Sequence, residues 1–110
     1  MEITFKSKKL KRQLTQPKEL NKSFGQMAKK ISQRIEEFKA AESLYILNKL
    51  PGTRCHEYSG DRKGEFSVNI TGNYRIIFEP DHEPIPKKKD GGIDWNEIIK
   101  IKILYIEDPH

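Results

Sequence analysis

Six polar side chains in this sequence have the types needed to bind a phosphate group and to move protons around it. Arginine and lysine bind a phosphodiester through charge, and arginine adds paired hydrogen bonds. Histidine transfers protons near neutral pH, and a carboxylate can take part in the same transfer. Together they predict a site that acts on a phosphodiester. The six residues are His56, Arg62, Lys63, Arg75, Asp108 and His110.

An ordinary structural role also fits these residues on pattern alone. In that interpretation His56 is a strand residue with satisfied hydrogen bonds, and Arg75 pairs with a glutamate of the sheet. The C-terminal residues then fray without a function. Spacing excludes neither interpretation, so the choice depends on the chemistry and on the rest of the chain.

The carboxylates of the chain do not fall at the spacing of a metal site. A two-metal nuclease needs a cluster of carboxylates, and the single cysteine, Cys55, is too little for a zinc site. If the protein cuts nucleic acid, we therefore expect it to use no metal and no other cofactor. That chemistry requires an internal nucleophile, the ribose 2′-hydroxyl, so the substrate would be RNA. The isolated aspartates are Asp61, Asp81, Asp90, Asp94 and Asp108.

Length and composition describe a small basic protein. The 110 residues predict a single domain, 1–110, and the net charge is +5. A basic balance favours a polyanion such as nucleic acid, or an acidic partner protein, without choosing between them. One cysteine permits no intramolecular disulfide, which fits a reducing compartment. Neither a signal peptide nor an apolar stretch of the ~20 residues of a membrane span is evident, so we expect a cytoplasmic protein.

Helices provide the scaffold in the first half of the predicted fold. A short alternating strand opens the chain, and Ser7 can cap the helix that follows it. Pro17 suits the first turn of a second helix. The helical spacing of apolar residues predicts one helix over about 17–40, with a break near Ser23 as the alternative. Ser43 can cap a further short helix.

The second half of the chain predicts a β meander that positions the polar groups. In an antiparallel meander His56 and Arg75 can lie on one face. Asp108 and His110 can return to that face if the last strand pairs centrally. The order β-α-α-(α)-β-β-β-β predicts an α+β fold, with a loop over 80–92 before the last strand. The predicted strands are 54–58, 65–70, 74–79 and one that includes 99–105.

Motifs across nearly the whole chain resemble those of a known toxin family. They are SKKLKR, KLPGTRCHE, SGDRKG, TGNYRIIFEP, GGIDW and the closing IEDPH. The combination resembles the RelE/ParE superfamily of bacterial toxins, and within it the HigB branch of plasmid-maintenance killer proteins. The resemblance implies a RelE/ParE-like fold, with two N-terminal helices packed on a mostly antiparallel sheet of about five strands. It also implies a ribosome-dependent mRNA interferase, held inactive in a hetero-oligomer by a HigA-like helix-turn-helix antitoxin.

The resemblance also assigns roles to residues of the meander. His56 corresponds to the strand histidine of the family, and Arg75 corresponds to the arginine that steadies the scissile phosphate. Arg62 and Lys63 fall where the family has basic residues near the site. These correspondences favour the catalytic interpretation over the structural one.

The C-terminal end contains the departure from the family's pattern. Asp108 and His110 correspond to its C-terminal acid and histidine. Pro109 stands between them, where members often have tyrosine or another residue with a hydroxyl group. Proline neither stacks on a base nor donates a hydrogen bond. Pro109 therefore leaves open how strongly the protein cleaves RNA, while RNA binding is still expected.

The basic helices predict a separate contact with ribosomal RNA. An ordinary solvated helix face explains the same charges equally well. The residues concerned are Lys8, Lys9, Lys11, Arg12, Lys29, Lys30 and Arg34.

Two other functions stay open at this stage. A ParE-like toxin inhibits DNA gyrase and would have no use for His56 or His110. A non-catalytic RNA- or protein-binding module would explain Pro109. Fold likeness alone does not decide, because the superfamily contains both nucleases and gyrase inhibitors.

Overall fold

The computed structural model describes residues 1–108 and has the predicted α+β fold. Its strands are β1 (Glu2–Phe5), β2 (His56–Glu57), β3 (Phe66–Asn69), β4 (Arg75–Pro80) and β5 (Lys100–Glu107). They form one sheet in the order β1-β5-β4-β3-β2. β1 runs parallel to β5, and the other neighbouring pairs are antiparallel, so the sheet is mostly antiparallel as predicted.

Four α-helices lie within the described residues: α1 (Lys8–Thr15), α2 (Pro17–Phe24), α3 (Ala28–Ala40) and α4 (Leu44–Asn48). The predicted caps are confirmed, because Ser7 Oγ accepts from the Leu10 N–H at 3.1 Å and Ser43 Oγ accepts from the Ile46 N–H at 3.3 Å. Pro17 begins α2, also as predicted. In the described part of the chain, none of the helices is long and apolar enough to cross a membrane.

The prediction of one continuous helix over 17–40 is wrong. A 3₁₀ turn, Gly25–Met27, separates α2 from α3. Gly25 has φ = +48°, a backbone conformation that glycine adopts without steric cost. The alternative prediction, a break near Ser23, is close to the observed turn. The scaffold before α4 therefore has three helices instead of two.

One hydrophobic core fills the space between the helices and one face of the sheet. Phe38 of α3 packs edge-on against Phe78 of β4, with ring centroids 5.0 Å apart, and Phe78 stacks on Phe66 at 5.7 Å. Ile76 is fully buried on the same face. Its neighbour Ile77 is fully buried too, although strand alternation directs it to the opposite face. That outer face is therefore also covered, by groups other than the helices.

Arg34 is a structural residue, so its prediction as a contact to ribosomal RNA is wrong. The side chain is only 4% exposed, and it pairs with Glu37 at 2.7 Å. Its Nε donates to the Asn69 carbonyl at 2.6 Å and its Nη2 to the Gly52 carbonyl at 2.9 Å. Arg34 thus joins α3 to the end of β3 and to the loop after α4. Helical spacing places it on the buried stripe that contains Ile31.

Candidate active site

Three of the predicted site residues, His56, Arg62 and Arg75, lie on the outer face of the sheet, away from the helices. Strand pairing places Ser67 opposite both His56 and Ile77, and Ile77 opposite Tyr105. Because side chains of paired residues share a face, these four form one row across four strands. Ser67 and Ile77 are buried in the middle of the row, and His56 and Tyr105 are exposed at its ends. The sheet therefore provides a packed floor with a polar side chain at each end.

Arg62 is held over this floor by four neighbours. Together they form the Arg62 cluster: Tyr58, Arg62, Glu65, Tyr105 and Glu107. The Nε of Arg62 donates to Glu65 Oε1 at 3.0 Å, and its Nη1 pairs with Glu107 Oε1 at 2.8 Å. Its Nη2 donates to the Tyr105 hydroxyl at 3.1 Å, and its guanidinium carbon lies 4.0 Å from the centroid of the Tyr58 ring. Each guanidinium nitrogen thus has a partner, which fixes the side chain in place.

The charges of the Arg62 cluster shift two pKa values. Burial alone lowers the pKa of Arg62, but the hydrogen bond to Glu65 and the neighbouring charges outweigh it, so the pKa is raised. Burial is the main cause that raises the pKa of Tyr105. Glu65 and Glu107 raise the Tyr105 pKa further, and Arg62 opposes them. Arg62 is therefore a permanent cation, and the Tyr105 hydroxyl keeps its proton at neutral pH.

Arg75, in contrast, has donors to spare. Its Nη1 donates to the Tyr58 hydroxyl at 3.3 Å, and no other residue of 1–108 forms a hydrogen bond or ion pair with its side chain. Glu107 lies opposite Arg75 in the strand register, but its carboxylate pairs with Arg62. A guanidinium carries several N–H donors. Most of those of Arg75 are free to bind an anion such as phosphate.

Tyr58 connects the histidine to both arginines. The His56 ring packs edge-on against the Tyr58 ring, with centroids 4.7 Å apart, and Tyr58 also contacts Arg62 and Arg75. His56 is exposed, so a ligand on this face can reach it. The structure thus brings His56 and Arg75 together through a tyrosine that the sequence argument did not single out. The available signal in the sequence was strand alternation, which places Tyr58, two residues after His56, on the same face of the sheet.

Other members of the Arg62 cluster also escaped the sequence argument. Tyr105 is two residues from the buried Ile103, so alternation along β5 predicts that it faces the core. A register shift between β4 and β5 at Ile77/Phe78 instead brings Tyr105 opposite Ile77 on the outer face. Glu65 is three residues from Arg62, at the spacing of a local pair. Glu107 had no comparable signal, because its partner Arg62 lies in a distant turn.

The remaining predicted site residues have less defined places. Lys63 is exposed, and its side chain forms no hydrogen bond or ion pair with another residue of the described chain. Asp108 is exposed and directly follows Glu107, which lies opposite Arg75 in the register. His110 and Pro109 lie outside the described residues. Asp108 therefore lies next in the chain to the Arg75 end of the sheet.

The basic residues of the helices lie in a different layer from the Arg62 cluster. On α1, Lys8, Lys9, Lys11 and Arg12 are exposed. On α3, Lys29 is exposed, and Lys30 is half-buried and donates to Gln33 at 3.3 Å. Because the helices cover the other side of the sheet, these cations form a surface separate from the candidate active site.

A metal site and a reactive thiol are two further kinds of site that residues 1–108 could contain. No group of three or more His, Cys, Asp or Glu side chains within residues 1–108 is placed to hold a metal ion. Burial, with a smaller contribution from Glu57, raises the pKa of the Cys55 thiol to about 12. A thiol with that pKa stays protonated at neutral pH and is a poor nucleophile. Cys55 is therefore a packing residue.

Comparison with known protein families identifies one match. A family model for HigB-like toxins, described as the RelE-like toxin of the type II toxin-antitoxin system HigB, matches residues 3–87. The matched range includes His56, Arg62 and Arg75 and ends before β5. No curated protein matches the chain.

Comparison with solved structures shows the same fold. A YoeB/ParE toxin from Agrobacterium tumefaciens superposes with a TM-score of 0.56 over 100% of both chains, at 13% identity. A structure titled YoeB-YefM complex from Staphylococcus aureus superposes with a TM-score of 0.54 over 100% of this chain and 98% of that chain, at 17% identity. The family predicted from the motifs is thereby confirmed: the chain belongs to the HigB-like toxins, RelE-like toxins of type II toxin-antitoxin systems.

Proposed function

We propose that this toxin is a ribosome-dependent mRNA endonuclease of the cytoplasm, which inhibits translation by cutting mRNA without a metal cofactor. The observation that carries the proposal is on the outer face of the sheet. There Arg75 keeps unused donors beside the exposed His56, and both contact Tyr58. One side chain can bind a phosphate while the other moves a proton close by. The family assignment supports the same class of reaction.

In the proposed reaction the ribose 2′-hydroxyl attacks the adjacent phosphorus and the 5′-oxygen leaves. A base among His56, Asp108 and His110 accepts the proton of the 2′-hydroxyl. Arg75 stabilises the negative charge that develops on the phosphate oxygens. A second histidine donates a proton to the leaving 5′-oxygen. The products are a 2′,3′-cyclic phosphate and a 5′-hydroxyl.

Arg62 is a positioning residue in this proposal rather than a phosphate ligand. Its guanidinium nitrogens are already paired within the cluster, and a phosphate would have to displace charge-assisted hydrogen bonds to carboxylates. Its contact with the Tyr58 ring instead holds the residue against which His56 and Arg75 pack. Lys63, exposed in the same turn, is the better candidate for a second cation at the rim.

Growth arrest after induction without an antitoxin tests the proposal. Arg75→Ala removes the phosphate ligand without touching the core, so it should relieve the arrest and leave the fold and antitoxin binding intact. His110→Ala should do the same if His110 takes part in proton transfer. Lys22→Ala, which removes an exposed cation of α2, is the matched control and should keep full arrest. Full arrest by both Arg75→Ala and His110→Ala would contradict the assignment.

Mapping of mRNA ends after induction separates the proposed nuclease from its rivals. New 5′ ends that carry a hydroxyl group support cleavage by the 2′-hydroxyl route. Arrest with intact mRNA, retained in a variant with both His56→Ala and His110→Ala, would instead favour a ParE-like gyrase inhibitor. A wild-type protein that causes no arrest would favour a non-catalytic binding module.

As a type II toxin the protein has an antitoxin partner. We propose a HigA-like helix-turn-helix protein for this role, in a toxin-antitoxin hetero-oligomer. Copurification of the toxin with the product of an adjoining helix-turn-helix reading frame, and relief of arrest on coexpression, test the identity of the partner. Arrest that persists on coexpression would contradict it.

The exposed cations of the helices are the proposed contact with ribosomal RNA, now without the buried Arg34. Reversing the charge of Lys8, Lys9 and Lys11 together should weaken cosedimentation with ribosomes and flatten its salt dependence, because fewer phosphates are neutralised. Reversal of three exposed lysines outside the predicted contact, Lys18, Lys22 and Lys39, is the control for net charge. Unchanged cosedimentation of the first variant would rule out this contact.

A further inference from the structure

We infer a second RNA-contact site on the helix side of the sheet, a pocket that takes an unpaired nucleotide. It lies between α4 and the 3₁₀ turn Trp95–Glu97. The inference goes beyond the proposed function, because binding at this pocket requires no cleavage. The pocket, called the Tyr45–Trp95 pocket below, is lined by Tyr45, Asn48, Lys88, Asp94, Trp95 and Asn96.

Two aromatic side chains give the pocket surfaces on which a base can stack. Tyr45 of α4 is 37% exposed, although large apolar and aromatic residues are mostly buried in this small core. Trp95 is held rigidly, because its Nε1 donates to Glu57 Oε1 at 3.1 Å and its ring packs edge-on against Phe66 at 5.2 Å. A fixed aromatic ring binds a base with little loss of conformational freedom. Stacking of this kind tolerates any base.

Two amide side chains and a carboxylate supply hydrogen-bonding groups beside the rings. Asn48 and Asn96 are exposed at the pocket, and each amide offers both donors and an acceptor to the edge of a base. Asp94 Oδ1 accepts from the Asn96 N–H at 3.2 Å, which fixes the start of the turn. Because one Asp94 oxygen is used in this way, its main effect is to orient Asn96.

Lysines surround the pocket and match the charge of a phosphate backbone. Lys49 Nζ lies 4.6 Å from the centroid of the Tyr45 ring, and Lys88 lines the pocket itself. The Lys88 N–H donates to the Gly92 carbonyl at 2.7 Å, so this lysine belongs to a tight hairpin. The hairpin also exposes Lys87 and Lys89.

Among the lining residues Lys88 is the cation and Asp94 the carboxylate, and Lys49 adds a second cation at the Tyr45 ring. The nearby carboxylate of Glu57 is occupied by the Trp95 Nε1–H. Basic side chains interleaved with aromatic rings are typical of single-strand binding surfaces. An acidic protein segment would use the lysines but would not use the two rings as stacking surfaces or the two amides as base contacts. The observations therefore favour RNA as the occupant.

The only tryptophan of the chain is in this pocket, so its fluorescence reports occupancy directly. A 2′-O-methyl octaadenylate is a suitable probe, because it lacks the free 2′-hydroxyl that the proposed cleavage uses. Titration of the whole protein with this probe should quench Trp95. Tyr45→Ala should weaken the binding about tenfold or more, since a stacking partner is lost. Lys88→Glu should weaken it and reduce its salt dependence, and Lys22→Glu should leave it unchanged.

The active-site variant separates this inference from the proposed nuclease. Arg75→Ala lies on the opposite face of the sheet and should leave the quenching unchanged. Absence of quenching, or quenching that is insensitive to Tyr45→Ala, would overturn the inference. Quenching by the antitoxin but not by the oligonucleotide would also overturn it and would assign the pocket to a protein. Quenching that depends on Tyr45, together with intact mRNA after induction, would leave the inference standing while the proposed function fails.

Discussion

Two arginines on opposite sides of the sheet are held by contrasting kinds of partner. Arg34, on the helix side, is 4% exposed and donates to the carbonyls of Asn69 and Gly52, with Glu37 as its one side-chain partner among residues 1–108. Arg62, on the outer side, is 34% exposed, and its partners are all side chains. Main-chain partners bind an arginine to the scaffold itself. Side-chain partners on an exposed face of the sheet allow the arginine to hold the side chains of a site in position.

The comparison also explains why residue type and charge did not assign these roles. Both Arg34 and Arg62 were predicted to contact RNA, and both have their guanidinium groups occupied by the protein. Within residues 1–108, Arg75 has one side-chain hydrogen bond, to Tyr58, and most of its donors are unused there. Among these three arginines, the number of free donors separates the proposed phosphate ligand, Arg75, from the two that the protein itself holds.

Loss of Arg34 should have the largest effect on stability. Arg34→Met leaves two partly buried carbonyls and Glu37 without their donor, so we expect the free energy of unfolding to fall by about 3 kcal/mol. Urea unfolding at neutral pH measures the change. Lys39→Met is the matched control, because its pair with Glu36 is exposed and should be worth less than about 1 kcal/mol. Equally small losses of unfolding free energy in both variants would contradict the structural role of Arg34.

Loss of Arg62 should lower activity more than stability. The pairs of Arg62 are partly exposed and screened by solvent, so Arg62→Ala should cost only about 1 kcal/mol of unfolding free energy. Cleavage should fall by about tenfold or more, because the positioning contact with Tyr58 is lost. Both quantities are measured on purified protein, by urea unfolding and by cleavage on programmed ribosomes.

Arg62→Lys distinguishes positioning from direct phosphate binding. Lysine keeps the charge but cannot pair with two carboxylates and a hydroxyl in the geometry of a guanidinium. If Arg62 positions Tyr58, the lysine variant should be nearly as slow as Arg62→Ala. Near-normal cleavage by Arg62→Lys would show that only the positive charge is needed. Arg62 would then be assigned as a phosphate ligand.

The titration of Tyr105 should give the smallest and most local effect. Arg62 lowers the Tyr105 pKa and Glu107 raises it, so Arg62→Ala should raise this pKa and Glu107→Gln should lower it. NMR of ring-labelled tyrosine follows the change directly. The folded-state pKa of Tyr105 is raised, so its contribution to stability is complete below the unfolded value of about 10 and is lost as pH rises through the folded value. Shifts in the same direction in both variants would contradict the arrangement of the cluster.

Local chemistry made the helix starts predictable. Ser7 and Ser43 are good cap residues, and Pro17 is preorganised for a first turn, so three helix starts followed from short-range rules. Gly25 did not reveal its break, because an isolated glycine is compatible with a helix at a modest cost. Burial of Arg34 was visible in the helical spacing, but the expectation that arginine is exposed outweighed it.

Prediction of the site stopped at contacts between residues distant in the chain. Alternation placed His56 and Arg75 on one face, because the period of a strand is a local property. It could not show that Arg62 reaches Glu107 on another strand, or that Tyr58 contacts both arginines. Those contacts depend on how the turn before β3 folds over the sheet. The residue types of the site could therefore be predicted from the sequence, but the contacts between those residues could not.

Cleavage of an mRNA that carries a single 2′-deoxy substitution tests the central claim most directly. The wild-type toxin is added to ribosomes programmed with an mRNA that is cut at a mapped position, and then with the same mRNA deoxygenated at the ribose 5′ to the cut. We predict that cleavage at that position is lost and that the unsubstituted control yields a 5′-hydroxyl end, because the 2′-hydroxyl is the nucleophile. Undiminished cleavage of the deoxygenated mRNA would contradict the account.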